Sequence, residues 1–331
     1  MQKFLKFILS LTLIILLCGC QNNVIFDIYD FSNHPKIKIG MSIPSEGTFL
    51  NNVCASAKKS ADEHDVELEI LSTNNDQKTQ AEQIKQWAKD NYAAVIVVLC
   101  DDTAGKQVLD NAGTMPVVFV NRCPSDHDVL QSKQNVIYIG GKEGDAGRLQ
   151  GEFLSEYFIS QNNNTPTIAV ISGDSDNFAS SIRINAAKEA MSKEGLMPFY
   201  IFENSGGWDK AKTESDFYKF LKTKPTIDAV LAANDDMAIG AADALAQAGY
   251  ALSGIPIVGV DATPEGRAAV RDGRIDFTVY QDPEKQGAGA IDEIMNMLGG
   301  NTPNVDIDSI QWHEYIPVTA ANIDKLFPDD R

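Results

Sequence analysis

The residues with the most chemistry in this chain stand directly after its apolar runs. Ile43 is followed by Pro44-Ser45-Glu46-Gly47-Thr48-Phe49, Leu99 by Cys100-Asp101-Asp102, and Val120 by Asn121-Arg122. Ser172 leads into Gly173-Asp174-Ser175-Asp176-Asn177, with Arg183 further on; Ala233-Asn234-Asp235 follows Ala232, Asp261 follows Val260, and Gln281 follows Tyr280. Trp208 stands behind Gly206-Gly207. These are amides, carboxylates and guanidinium groups with two aromatic rings. A hydroxyl donates one hydrogen bond and accepts two, so carboxylates and amide oxygens take its proton while Arg and Asn donate to its oxygen. An aromatic ring covers C–H faces by dispersion. The inventory suits a ligand dense in hydroxyl groups. Any one Asn or Asp after a strand is equally well explained as a turn former or helix cap. Asn121, Asn234, Asp261 and Gln281 taken together, each at the end of an apolar run, are not.

The elements that must carry these residues follow a regular alternation from Lys36 onward. Runs of strand length are Ile37–Ile43, Val66–Leu71, Ala94–Leu99, Val117–Val120, Val136–Ile139, Thr167–Ser172, Phe199–Phe202, Ala229–Ala232, Ile257–Val260 and Phe277–Tyr280. Helical spacing fills the intervals at Gln77–Lys89, Glu143–Ser160, Ala179–Glu194, Asp209–Lys222 and Met237–Gln247, and Glu314–Val318 adds a late short strand. Strands alternating with helices require right-handed crossovers and parallel sheets covered on both faces. About ten strands over this length predict an α/β protein with two doubly wound parallel sheets. Ligands bind beyond the carboxyl ends of strands in such sheets, where the polar inventory lies.

The first residues, with Lys3 and Lys6 ahead of an apolar stretch from Phe7 to Leu17, read as an export signal too short to span a bilayer. Leu17-Cys18-Gly19-Cys20 resembles a lipobox, which places cleavage after Gly19 and a lipid on Cys20; Cys18 is an uncommon residue at its place in that motif. Residues 1–19 are then the signal and 20–35 a polar tether. The expected location is outside the cytoplasm, lipid-anchored to a bacterial membrane. Removing Lys3 and Lys6 takes 28 basic residues to 26 against 46 acidic, a formal net of −20. That charge opposes nucleic acid, whose binding rests on phosphate neutralisation, and no nucleic-acid partner is expected. Cys54, Cys100 and Cys123 remain in the mature chain, an odd number without CxxC spacing, so neither a disulfide framework nor a zinc site is indicated. Cys100 and Cys123 each follow a strand and could meet, but free thiols are the favoured reading.

Other constellations carry less. Gly140-Gly141-Lys142-Glu143-Gly144-Asp145-Ala146-Gly147 lacks both the dinucleotide and the P-loop spacing, and its glycines read as structural. His34, His64, His127 and His313 are scattered and none ends a strand. Asp174, Asp176 and Asn177 read as helix capping rather than a cation loop, since no bidentate Glu closes them. No cofactor and no metal is expected.

Four segments carry a family resemblance: Pro116-Val117-Val118-Phe119-Val120-Asn121-Arg122, Asn135-Val136-Ile137-Tyr138-Ile139-Gly140, Ala233-Asn234-Asp235-Asp236-Met237-Ala238-Ile239-Gly240 and Val258-Gly259-Val260-Asp261-Ala262-Thr263-Pro264-Glu265. From about Lys36 to the last strand the chain resembles periplasmic sugar-binding proteins of the ribose/galactose type, which feed carbohydrate ABC transporters. Asn121-Arg122-Cys123-Pro124-Ser125 and Gly207-Trp208-Asp209-Lys210-Ala211 look most like galactose/glucose binders. The resemblance implies the type I periplasmic binding protein fold, with two doubly wound lobes joined by three crossovers. It implies that Phe49 and Trp208 sandwich a sugar, that Asn121, Arg183, Asn234 and Asp261 bond its hydroxyls, and that Gln281 adds an amide. Glu46, Asp101, Arg122 and Asn177 are further candidates. Two departures bear on which sugar. Gly47 stands where galactose/glucose binders have an acid, with Glu46 beside it, and Asn177 and Ala179 stand where they have His and Asp. Their calcium loop is absent.

The implied function is capture of a monosaccharide, a galactose- or glucose-like hexose or a pentose, between the lobes for delivery to an ABC permease. An alternative keeps the ligand but reports it to chemotaxis or a histidine kinase. A third, an exported sugar-modifying enzyme, lacks a G-x-S-x-G nucleophile, so the chain is read as a binding protein and not an enzyme. The expected first lobe combines 36–139 with 282–298, and the second combines 140–281 with 299–331. Chain passages are expected near Ile139–Gly141, near Gln281-Asp282 and within Gly299–Ile307.

Overall fold

The computed structural model describes residues 36–174 and 177–330. The signal and tether, Cys20 and Asp176 lie outside the described residues. The described residues form two sheets of six strands, the first in the order β11-β5-β4-β3-β1-β2 and the second in the order β12-β10-β9-β8-β6-β7. In the first, β1 (Ile37–Ile43), β2 (Val66–Ser72), β3 (Ala94–Val97), β4 (Val117–Val120), β5 (Val136–Gly141) and β11 (Ile310–His313) all run parallel. In the second, β6 (Thr167–Ser172), β7 (Phe199–Ser205), β8 (Ala229–Ala232), β9 (Ile257–Val258) and β10 (Phe277–Tyr280) are parallel, and β12 (Ile316–Thr319) closes the edge antiparallel to β10.

The central strands are continuous apolar runs because helices cover both of their faces. Along β3 the side chains alternate between two cores: Ala94 and Ile96 join one apolar cluster, Val95 and Val97 the other. The first cluster packs under α1 (Thr48–Glu63) and α10 (Pro283–Leu298). These two helices touch closely at Gly287, where a Cβ would lie 2.1 Å from the Val53 carbonyl oxygen. In the second lobe, α5 (Glu143–Ser160) meets α6 (Phe178–Lys193) at Gly147, where a Cβ would lie 2.0 Å from the Arg183 carbonyl oxygen. That close approach sets Arg183 against Glu143, and it gives Gly147 the structural role read from the sequence.

The chain leaves the first sheet after Gly141 and leaves the second after Tyr280, where α10 returns to pack on α1. The third passage is not where the Gly-, Asn- and Pro-rich stretch 299–307 suggests. Ile310–His313 pairs with β5, so 299–313 stays with the first sheet and the chain passes across at Glu314-Tyr315. Tyr315 lies against Gly141, so the first and third passages touch. The half-buried Gln311-Trp312-His313 edge carries no apolar run, which is why hydropathy misses it. The remaining helices that matter for the site are α7 (Lys210–Leu221), α8 (Asp235–Gln247) and α9 (Pro264–Arg271).

Candidate functional site

A cavity of about 180 Å³ opens between the lobes, beyond the carboxyl ends of both sets of strands. Phe49, Asn121, Arg183, Trp208, Asn234, Asp261 and Gln281 all line it, as do Glu46, Arg122 and Asn177. Asp101 does not. Its carboxylate accepts from the Thr103 backbone N–H and hydroxyl in an exposed turn, 2.8 and 2.7 Å away. Its neighbour Asp102 turns inward instead and accepts from the Phe178 N–H of the second lobe at 2.9 Å, a direct bond across the cleft. The three cysteines carry free thiols.

Arg183 is the electrostatic centre. Its Nε donates to Glu143 at 2.5 Å, its Nη1 donates to the Ala233 carbonyl at 2.9 Å, and Asp261 lies 3.7 Å from Nη1. Burial works against the Arg183 charge, but Glu143 and Asp261 outweigh it and raise its pKa. Burial also pushes the Asp261 carboxyl up to about 7, with Arg183 and a hydrogen bond from Gln281 opposing the rise. Behind it, the fully buried Asp235 accepts from the Thr278 hydroxyl at 2.5 Å and the Thr263 N–H at 2.9 Å. Burial, with Asp261 nearby, raises its pKa far above the carboxylate range. Two neighbouring carboxyls from two strand ends thus divide: Asp235 ties loops together, and Asp261 faces the cavity.

The amide of Gln281 is engaged at both ends. Its Nε2 donates to Asp261 at 2.6 Å, and its Oε1 accepts from Gln286 Nε2 at 3.0 Å. Gln286, on α10, in turn accepts from Asn121 Nδ2 at 3.4 Å. The amides run head to tail from the end of β4 in the first lobe, through the second chain passage, to the carboxylate of the second lobe. Gln281 therefore acts on the cavity by holding Asp261.

Several polar ends remain open to the cavity. Asn234 Oδ1 caps α8 and Asn177 Oδ1 caps α6, which leaves both Nδ2 groups without a partner among the described residues. The same holds for Arg183 Nη2 and Asp261 Oδ2. Arg122 donates from Nη1 to the Leu99 and Cys100 carbonyls, and burial lowers its pKa. Opposite these, α1 begins at Gly47 without a side-chain cap, so the first N–H groups of the helix, at Thr48, Phe49 and Leu50, face the cavity. Asp236 adds a carboxylate facing the Thr48 hydroxyl; burial raises its pKa and Thr48 opposes that rise.

Besides Gly207, four lining residues hold left-handed backbone: Asn75 at φ 61°, Asn121 at φ 66°, Trp208 at φ 61° and Asp261 at φ 114°. Asn tolerates that region, but an indole there is strained and is held by its surroundings. The Trp208 ring lies over Gly173, where a Cβ would come within 2.0 Å, and its centroid is 5.9 Å from the Arg183 guanidinium carbon. Phe49, at the first turn of α1, closes the opposite wall and roots in the first core. Thr48, Asp174 and Asp236 also line the cavity, and strand-end reading does not single them out. Gln286 was beyond reach, since nothing local marks a helix-borne amide as part of a site.

Two α/β lobes with a small polar cleft between them and three chain passages define a two-lobed binding protein. A family model described as "Periplasmic binding protein domain" matches residues 39–302, and the chain belongs to that family. It is 30% identical to a Rhizobium meliloti protein named for rhizopine binding, over 84% of this chain and 87% of that one. It is 28% identical to a D-ribose/D-allose-binding protein of Pseudomonas aeruginosa, over 83% and 86% of the two chains. Among solved structures, an ABC transporter solute-binding protein of Bacillus halodurans with bound myo-inositol superposes with a TM-score of 0.78 at 26% identity, covering 89% of this chain and 98% of that one.

Proposed function

We propose that this protein captures one monosaccharide in the interlobe cleft and presents it to an ABC permease, exported and held to the membrane by a lipid on Cys20. The observation that carries the reading is the set of open polar ends: donors from Asn177, Asn234 and Arg183 and an acceptor from Asp261 converge between Phe49 and Trp208. A sugar ring offers hydroxyl edges to the first set and C–H faces to the rings. The volume fits one ring, being below the ~300–1,000 Å³ of drug-sized ligand sites. The relatives' names point to ribose, allose and inositol, ligands of the same polyhydroxyl chemistry. Recognition of this kind needs no covalent step, so the protein acts as a binder.

A thermal-shift screen of the mature protein against common pentoses, hexoses and inositols tests this. At least one neutral ring at 100 times its Kd raises stability by about 2.7 kcal/mol, several degrees in Tm. A flat response across the panel contradicts the reading.

A further inference from the structure

The sugar cavity is the smaller half of the interlobe space. A second compartment of about 420 Å³ adjoins it and shares Phe49 and Asp261 as walls. It continues along the same face of α1, past Asn52, Ala55, Ser56 and Lys59, with α9 and the start of α10 opposite. The chemistry changes at the shared wall. Several polar groups on the far side are already engaged with protein, and the charged Lys59 and Glu284 are exposed. The Ser56 hydroxyl donates to the Glu284 carbonyl, Thr263 caps α9, and Arg267 binds Asp330 through Nε and Nη2 and the Ala262 carbonyl through Nη1. What the compartment offers instead is ring and proline surface: Phe49, Tyr280 and Phe327 with Pro264 and Pro283. Tyr280 and Phe327 pack edge to face at 5.1 Å, and the Arg267 guanidinium sits 4.4 Å over Phe327, which fixes that wall.

An amphipathic space fits an amphipathic ligand. Resting on the sugar reading above, we infer that the second compartment takes an apolar or aromatic aglycone carried by the sugar, so that the full ligand class is glycosides. The sugar ring stays between Phe49 and Trp208, and the substituent passes Asp261 into the ring-lined space. Burying an aryl group there removes apolar surface from water that a free sugar never brings.

Calorimetric titration of the mature protein with the preferred free sugar and with its α- and β-phenyl glycosides tests this. One phenyl anomer binds about tenfold or more tightly than the free sugar. Ala55→Trp and Asn52→Trp fill the second compartment from the exposed side of α1; each keeps free-sugar affinity within about twofold and removes the gain of the glycoside. Binding of the free sugar with rejection of both glycosides overturns the aglycone compartment and leaves the sugar reading intact. Loss of free-sugar affinity in both filled, folded variants also overturns it, because the compartments are then one site. Binding of glycosides without the free sugar supports the compartment and corrects the monosaccharide reading. No binding of either overturns both.

Discussion

The two lobes prepare the cleft in opposite ways. In the second lobe, α6, α7, α8 and α9 all begin with a side-chain cap, from Asn177, Asp209, Asn234 and Thr263. In the first lobe, α1 begins at Gly47 with none. The second lobe also holds the ion pairs of Arg183 with Glu143 and Asp261, while the first contributes bare N–H groups, Phe49 and the open end of Asn121. Capped helices and a paired guanidinium have their polar groups satisfied without ligand. Uncapped N–H groups seek an oxygen. On the proposed function, the second lobe is the preorganised half that would seat the sugar, and the first lobe is the half that would gain by closing over it.

The division is broken most severely at Trp208. If the second lobe seats the ligand, Trp208→Ala removes a ring wall and lowers affinity by roughly fiftyfold or more. The loss of stability is expected to be modest, because the indole is half-buried, lining the cavity while packing against the second core from outside it. Fluorescence titration reads both, since sugar binding perturbs the wild-type indole. Unfolding of the variant without a ligand-dependent signal would return Trp208 to the core. A smaller effect sharpens the comparison at the seam. Gln286→Met keeps the volume of the side chain but removes the amide that links Asn121 to Gln281 and so to Asp261. We expect affinity to fall by about five- to tenfold, one hydrogen bond's worth, with Gln286→Glu unable to restore it because its carboxylate cannot donate to Gln281. An unchanged affinity in Gln286→Met would mean that Asp261 is held without the amide chain.

Much of this is legible in the sequence alone. Parallel strands buried on both faces must be apolar runs, so their ends are sharp in the sequence, and the polar residues at those ends fall into one cavity. Three things were not legible. Of Asp101 and Asp102, only the path of the turn decides which carboxylate reaches Phe178. Strand β11 is a half-buried edge whose pairing with β5 is a tertiary choice, and it moves the third chain passage to Glu314-Tyr315. Thr48, Asp236 and Gln286 act across the cleft or through a second amide, and no local pattern encodes a partner so far along the chain.

Asp261 tests the account most directly. Arg183 and Gln281 face its carboxyl, and Glu143, Asp235 and Asp236 are the other acids near it. Its pKa is raised to about 7, above the ~3.9 of an unfolded Asp. Its contribution to stability is therefore complete below about pH 4 and is lost as pH rises through 7. A sugar whose hydroxyls donate to the ionised form reverses that trend in the complex. Calorimetric titration of wild type and Asp261→Asn with the preferred sugar at pH 6 and pH 8 makes the comparison. We expect wild-type affinity to rise by up to about tenfold from pH 6 to pH 8 with release of a proton. Asp261→Asn is expected to bind roughly ten- to a few hundredfold more weakly at pH 8, with no pH dependence across that interval. Equal affinity of the two proteins at pH 8, or the same pH profile in both, would contradict a sugar held by the second lobe's carboxylate.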